Sequence, residues 1–167
     1  MNILAQILSL IAFTFFVLSV QAKEKSKLIK QQLIANILYG ISYLMLGVKI
    51  AFYMNIISSI RCIIINYTKK EQPSRIYLWG LMVLIAVAGI YNYDNILSLM
   101  PIIITIIYTL STWQDNMKLI RYSFIVAGVM WIFYNLTVGA YGSIVGNVFE
   151  IISGIISIKR FKKDTNL

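Results

Sequence analysis

Histidine is absent from this chain and cysteine occurs once, at Cys62. A lone cysteine excludes an internal disulfide framework, and without histidine no Cys/His metal site can be assembled. The commonest general base is missing too. Acidic residues number only 6, and no Ser-His-Asp set, Gly-rich phosphate loop or paired-carboxylate arrangement is present. The chain therefore reads as a protein that is not an enzyme and carries no cofactor or metal. Charge is scarce in total, at 13% of 167 residues, where a soluble domain carries about a quarter. So little polar surface cannot cover an aqueous globule.

What is abundant is apolar: 59% of residues are hydrophobic and the mean hydropathy is +0.79. A hydrocarbon core about 30 Å thick needs roughly 17–25 helical residues to span it. Seven runs approach that length, at 3–20, 33–48, 50–67, 76–91, 96–113, 122–138 and 141–158. Backbone groups find no water partner in lipid, so each run is expected to be a helix. The expected fold is all-α and polytopic, with seven transmembrane helices and a lipid bilayer as the first partner.

The net charge of +9 would suggest nucleic acid in a soluble protein. Here the charges fall in the gaps between apolar runs, and no nucleic-acid motif accompanies them. The gap after the first run holds Lys23, Lys25, Lys27 and Lys30, and the gap after the third holds Lys69, Lys70 and Arg75. Lys118 and Arg121 follow the fifth run, and Lys159, Arg160, Lys162 and Lys163 end the chain. Lys49 stands alone on the other side, and Arg61 lies inside a run. Basic residues favour the cytoplasmic side, which places the C-terminus in the cytoplasm and the N-terminus outside. Val20-Gln21-Ala22 resembles a signal-peptidase site. No basic residue precedes the first run and lysines follow it, so an uncleaved first helix is expected.

The two halves share ordered polar landmarks. Gln21 precedes Lys27-Leu28-Ile29-Lys30, as Gln114 precedes Lys118-Leu119-Ile120-Arg121. Gly47 matches Gly139 and Asn55 matches Asn147, both at an offset of 92, and each half ends in a basic pair, Lys69-Lys70 or Lys162-Lys163. Two parallel three-helix repeats follow, 1–70 and 94–167, joined by a loop and linker helix at 71–93 that restores the direction of an odd-numbered unit. Parallel repeats are one of the known transporter plans.

The strings Leu18-Ser19-Val20-Gln21, Leu110-Ser111-Thr112-Trp113-Gln114 and Gly128-Val129-Met130-Trp131-Ile132-Phe133-Tyr134, running on to Gly146-Asn147, resemble those of the SWEET and PQ-loop transporters. Across nearly the whole chain the pattern is most similar to bacterial inner-membrane proteins of the YgjV type. The resemblance implies a 3+1+3, SWEET-like arrangement and a bacterial cell membrane. It also implies that Trp131 and Asn147 line a central cavity, with Asn55 as partner. The proline that precedes each glutamine in the PQ-loop pattern is replaced here by Val20 and Trp113, which removes the hinge those prolines supply. Pro101 sits elsewhere, where it is expected to kink the fifth helix.

Asn55 and Asn147 fall near the expected mid-membrane plane. Facing amides can grip a neutral polyol, amide or nucleoside by donating and accepting hydrogen bonds, with Trp131 and its repeat mate Tyr39 as flat walls. Two readings stand for the asparagines: a substrate site, or interhelical glue worth about 0.6–2 kcal/mol each. Glu150 lies one turn beyond Asn147, and Arg61 lies deeper in the third run. Buried ionisable groups usually pair, so Arg61 and Glu150 are expected either to pair as a gate or to reach the interface and water separately. Tyr91, Tyr93, Trp79 and Trp113 read as interfacial aromatics, and Gln31 and Gln32 as headgroup-level residues. Gly40, Gly47, Gly128, Gly139 and Gly142 read as close helix contacts.

The leading functional expectation is a facilitative transporter of a small neutral polar solute, working by alternating access. The alternatives are a non-transporting scaffold or regulator of other membrane proteins, and a vitamin or nucleoside transporter of the nicotinamide-riboside type. Substrate, coupling and homo-oligomerisation are left open by the sequence.

Overall fold

In the computed structural model the described residues are 2–68 and 73–164, with side chains as far as residue 160. They form seven α-helices: α1 (Ile3–Val20), α2 (Lys25–Met45), α3 (Lys49–Tyr67), α4 (Arg75–Tyr91), α5 (Leu99–Trp113), α6 (Met117–Val138) and α7 (Tyr141–Asp164). A 3-10 turn, Ile96–Ser98, leads into α5. Five spans are long and apolar enough to cross a membrane: α1, α3, the turn with α5, α6, and Tyr141–Arg160 of α7. The apolar α4 has 17 residues, and α2 opens on lysines.

Local signals explain where the helices begin. The Asn2 side chain accepts the Ala5 N–H, Ser74 accepts that of Ile76, and Asn116 accepts those of Lys118 and Leu119. Each satisfies donors that a first helical turn leaves without partners. The Asn116 cap starts α6 five residues before its apolar run at Tyr122, and α2 likewise begins at Lys25 rather than at 33. Both helices thus extend past the lipid-like stretch, and lysines expected in a loop are helical.

The ends of α2 and α6 match closely. Val48 N–H donates to the Tyr43 carbonyl at 2.9 Å and Ala140 N–H to that of Asn135 at 3.0 Å. Between them, Gly47 has φ +76° and Gly139 has φ +71°, the left-handed conformation that closes a helix at low cost with glycine. Nothing lies within 4 Å of a Cβ at either position, so these two glycines terminate helices and are not close contacts. Gly128 and Gly142 are close contacts, with a neighbouring atom 2.9 and 2.3 Å from an added Cβ.

Six helices close a ring in the order α1, α2, α3, α5, α6, α7 and back to α1, while α4 packs outside against α3 and α5. The ring is inside-out relative to a soluble bundle. Ile7, Leu10, Ile37, Ile60, Val129 and Ile152 face outward, whereas Asn36, Asn55, Asn135, Asn147, Arg61 and Glu150 are buried. Only three α4 residues, Leu81, Ile85 and Gly89, are buried. A helix set with apolar residues outside and amides inside needs an apolar solvent to be stable.

Polar bonds tie α1 into the ring. Ser42 Oγ donates to the Ala5 carbonyl at 2.7 Å, and Ser157 Oγ to that of Val20 at 3.0 Å. Gln21 Nε2 donates to the Ser153 carbonyl and hydroxyl at 2.9 and 2.7 Å. The first residue of α2 meets the loop after α5 through a Lys25–Asp115 ion pair of 2.7 Å.

Several local expectations are corrected. Pro101 is the third residue of α5, where a missing N–H leaves no carbonyl stranded, so it introduces no kink. Trp113 is buried rather than interfacial, and Gln32 is fully buried because α2 starts two turns earlier than its apolar run. Tyr91, Tyr93 and Trp79 are exposed at helix ends or on the outside. The Lys69-Lys70 pair and the 70/71 boundary lie outside the described residues, as do the side chains of Lys162 and Lys163.

Candidate functional site: a polar cavity inside the ring

The centre of the ring holds a cavity of about 30 Å³ lined by Phe16, Asn36, Tyr39, Tyr43, Met54, Asn55, Ser58, Thr105, Tyr108, Trp131, Asn147 and Glu150. All four residues singled out as solute-binding, Asn55, Asn147, Trp131 and Tyr39, face it, and Glu150 joins them. Space of this size admits about two water molecules. Every ring helix except α7's neighbour α1 contributes at least one polar group; α1 contributes Phe16.

Four of the polar lining residues are tied into one chain through Asn135, which is not itself part of the lining. Tyr43 Oη donates to Asn135 Oδ1 at 2.8 Å, and Asn135 Nδ2 donates to Asn147 Oδ1 at 2.9 Å. Asn147 Nδ2 donates to Glu150 Oε2 at 3.2 Å, and Tyr108 Oη donates to Glu150 Oε1 at 2.8 Å. Both carboxyl oxygens therefore accept one hydrogen bond each. Four helices, α2, α5, α6 and α7, are joined by these four bonds. Asn55 stands apart: its Nδ2 donates to the Ala51 carbonyl of its own helix at 2.8 Å. The two repeat-mate asparagines share the cavity without a hydrogen bond between them.

Arg61 and Glu150 do not form the direct pair considered from the sequence. Among the described residues the salt bridge within 4.0 Å is Lys25–Asp115. Tyr108 touches both buried groups instead, its hydroxyl on Glu150 and its ring 5.9 Å from the Arg61 guanidinium carbon. Arg61 is 1% exposed, so it does not reach the interface either. Its Nη2 lies 4.0 Å from Cys62 Sγ, which also receives Asn36 Nδ2 at 3.7 Å. Among the described residues Arg61 Nε and Nη1 have no hydrogen-bond partner, nor have the two amide atoms of buried Gln32.

A second space opens at the end of the bundle where α2 meets α3, α4 meets α5 and α6 meets α7. This vestibule measures about 560 Å³ and is lined by Lys49, Asn92, Tyr93, Asp94, Tyr134 and Thr137 among others. An aromatic stack separates the two spaces. Tyr134, on the vestibule wall, meets Trp131 edge-on at 5.7 Å. Trp131 stacks on Tyr43 at 5.7 Å and 18°, and Tyr43 meets Tyr39 at 6.4 Å.

Sequence reasoning missed Tyr43, Asn135, Tyr108 and Ser58. The signal was present in the offset of 92, which relates Phe16 to Tyr108, Tyr39 to Trp131, Tyr43 to Asn135 and Ser58 to Glu150. Extending the repeat from glycine and asparagine to every polar or aromatic residue in the buried positions would have found them. Among the described residues no group of three His, Cys, Asp or Glu could hold a metal ion.

The family model Imp-YgjV, bacterial inner membrane protein, matches residues 3–165. No curated protein and no solved structure matches the chain. The match covers nearly all of the sequence, so the chain belongs to this family of bacterial inner membrane proteins. Its several apolar helices are those of a multi-pass membrane protein.

Proposed function

We propose that this member of the bacterial inner-membrane family is a facilitative transporter that moves a small polar solute of no net charge through the ring by alternating access. The observation that carries this reading is the central cavity. Asn55, Asn147, Trp131, Tyr39 and Glu150 converge there, in a protein whose outer surface is apolar. Buried polar groups in a membrane are costly and mark solute or ion paths. The vestibule of about 560 Å³ falls in the size range of small-ligand pockets, roughly 300–1,000 Å³. The Tyr43–Trp131–Tyr134 stack acts as the gate between vestibule and cavity.

All seven helices cross the membrane in this reading, as two parallel three-helix repeats with α4 as the linker, the N-terminus outside and the C-terminus cytoplasmic. The helix starts support it: α2 and α6 begin at Lys25 and Met117, and α3 and α7 at Lys49 and Tyr141, each pair 92 apart. The ring order supports it as well, because exchanging the halves maps every contact in it onto another. The Lys25–Asp115 bridge joins the start of α2 to the connection between α5 and α6, which agrees with the two halves running parallel.

Screening the purified protein for ligand-induced thermal stabilisation tests the reading. Neutral sugars, nucleosides, nicotinamide riboside and amino acids are compared on the parent and on an Asn55→Ala/Asn147→Ala variant. At least one solute class is expected to raise the midpoint of the parent and not of the variant. The cavity's volume of only about 30 Å³ favours the second reading, a scaffold for other membrane proteins. If every solute leaves the parent unchanged, that second reading takes its place.

A further inference from the structure

Arg61 and Glu150 are ionisable groups of opposite sign buried within α3 and α7, and both touch Tyr108 without touching each other. Glu150 accepts from Tyr108 and Asn147. Arg61 lies over the Tyr108 ring with Nε and Nη1 unpartnered at 1% exposure. A buried guanidinium with nitrogens left unpartnered is costly unless something accepts from them. Nor is the repeat responsible for either charge, since the mate of Glu150 is Ser58 and that of Arg61 is Ser153, both at the 92-residue offset. The charges depart from the symmetry of the site, one in each half, on either side of one tyrosine.

We propose that the solute is a small zwitterion, with its carboxylate on the free N–H groups of Arg61 and its ammonium at Glu150 within the aromatic walls. This rests on the reading of the central cavity as a solute site. A guanidinium pairs with a carboxylate through short charge-assisted hydrogen bonds, and Nε and Nη1 of Arg61 leave donors free to make them. The ammonium end meets a carboxylate with Tyr39, Tyr43 and Trp131 nearby, and aromatic faces attract cations. A ligand bearing both charges satisfies both ends and adds no net charge to the membrane interior. A monovalent ion satisfies one end alone, and a neutral sugar leaves the guanidinium unpaired. The vestibule carries both signs as well, in Lys49 and Asp94. As it stands the cavity admits about two water molecules and is lined by Glu150 but not by Arg61. Entry therefore requires the Tyr43–Trp131 stack to part and the Tyr108 ring, which covers Arg61, to move aside.

The test uses the full chain in proteoliposomes and follows uptake of glycine, L-alanine and L-serine beside ethanolamine, propionate and glycerol. Ethanolamine keeps only the ammonium and propionate only the carboxylate. Uptake of the zwitterions is expected to exceed that of each single-charge analogue by about tenfold or more, the worth of one hydrogen bond to a charged group. Arg61→Gln is expected to remove the preference over ethanolamine, and Glu150→Gln the preference over propionate. Uptake of glycerol with no preference for zwitterions would overturn the zwitterion while leaving the cavity as a solute site. Absence of uptake for all six, together with no ligand in the stabilisation screen, overturns both. The solute series is read on the parent protein, so a variant that does not assemble leaves the test intact.

Discussion

Replacing Asn147 with leucine, a side chain of similar shape, is expected to destabilise the protein by about 2–4 kcal/mol in detergent unfolding and to abolish the response to ligand. Asn147 is the middle of the hydrogen-bonded chain: it accepts from Asn135 Nδ2 at 2.9 Å and donates to Glu150 Oε2 at 3.2 Å. Leucine strands one donor and one acceptor, both in buried residues. An unsatisfied buried group costs about 1–3 kcal/mol, and the measured worth of such bonds in membrane bundles is about 0.6–2 kcal/mol. Asn55→Leu is the matched control. Among the described residues its side chain bonds to the Ala51 carbonyl of its own helix and to no other helix, so stability should fall by less than about 1 kcal/mol. Loss of ligand response in Asn55→Leu without loss of stability separates a solute-binding amide from structural glue. Equal destabilisation by the two substitutions would contradict the asymmetric network.

Gly142→Ala should be about as damaging, for a steric reason. Gly142 and Gly146 lie four residues apart on one face of α7 and let it approach α1, the small-xxx-small pattern of membrane helix pairs. A Cβ on Gly142 falls 2.3 Å from Ser9 Oγ and 2.7 Å from the Gln6 carbonyl oxygen. The serine can rotate, but the backbone carbonyl moves only if α1 moves. The same glycine's N–H donates to Gln6 Oε1 at 2.7 Å, and Gln6 Nε2 donates to the Gly139 carbonyl at 3.1 Å. Displacing α1 breaks both. A loss of about 1–3 kcal/mol from overpacking, plus about 1 kcal/mol for the hydrogen bonds, is expected in the unfolding midpoint. Gly80→Ala, where nothing lies within 4 Å of the new Cβ, should be neutral or slightly stabilising because alanine is the better helix former. A harmless Gly142→Ala would mean that α1 and α7 are farther apart than the structure places them.

How much of this was legible in the sequence depends on which force set each feature. The run at 3–20 coincides with α1 because that helix carries no charged residue from end to end. Runs 50–67 and 76–91 match α3 and α4 within one residue. The run at 33–48 missed the first two turns of α2, because hydropathy marks where lipid ends while Lys25, Lys27 and Lys30 continue the helix into the headgroups. Asn116 could have been read as a cap, and was overlooked for the same reason. Gln32 was placed at the interface for the same reason, while Trp113 was placed there by its position at a run's end, which does not show that its side chain turns inward.

In the site, the repeat carried Asn55, Asn147, Tyr39 and Trp131 into one cavity, because a shared offset places mates at the same depth. It could not show that Asn147 bonds to Asn135 while Asn55 bonds to its own helix, since rotamers and neighbours differ between mates. Nor could it show Tyr108 in contact with both Arg61 and Glu150. That contact depends on which helices are adjacent in the ring.

Access of water-borne reagent to the centre of the ring tests the alternating-access reading most directly. Ser58 faces the cavity and tolerates a cysteine of nearly equal size. In a Cys62→Ser background, Ser58→Cys is exposed to a membrane-impermeant maleimide in right-side-out and in inverted vesicles. Thr137→Cys, on the vestibule wall, serves as the control for one side. Slow labelling of Ser58→Cys from both sides, retarded by a bound solute, is the expected result. Rapid labelling of Thr137→Cys with none at Ser58→Cys from either side would contradict it and leave a closed structural core in its place.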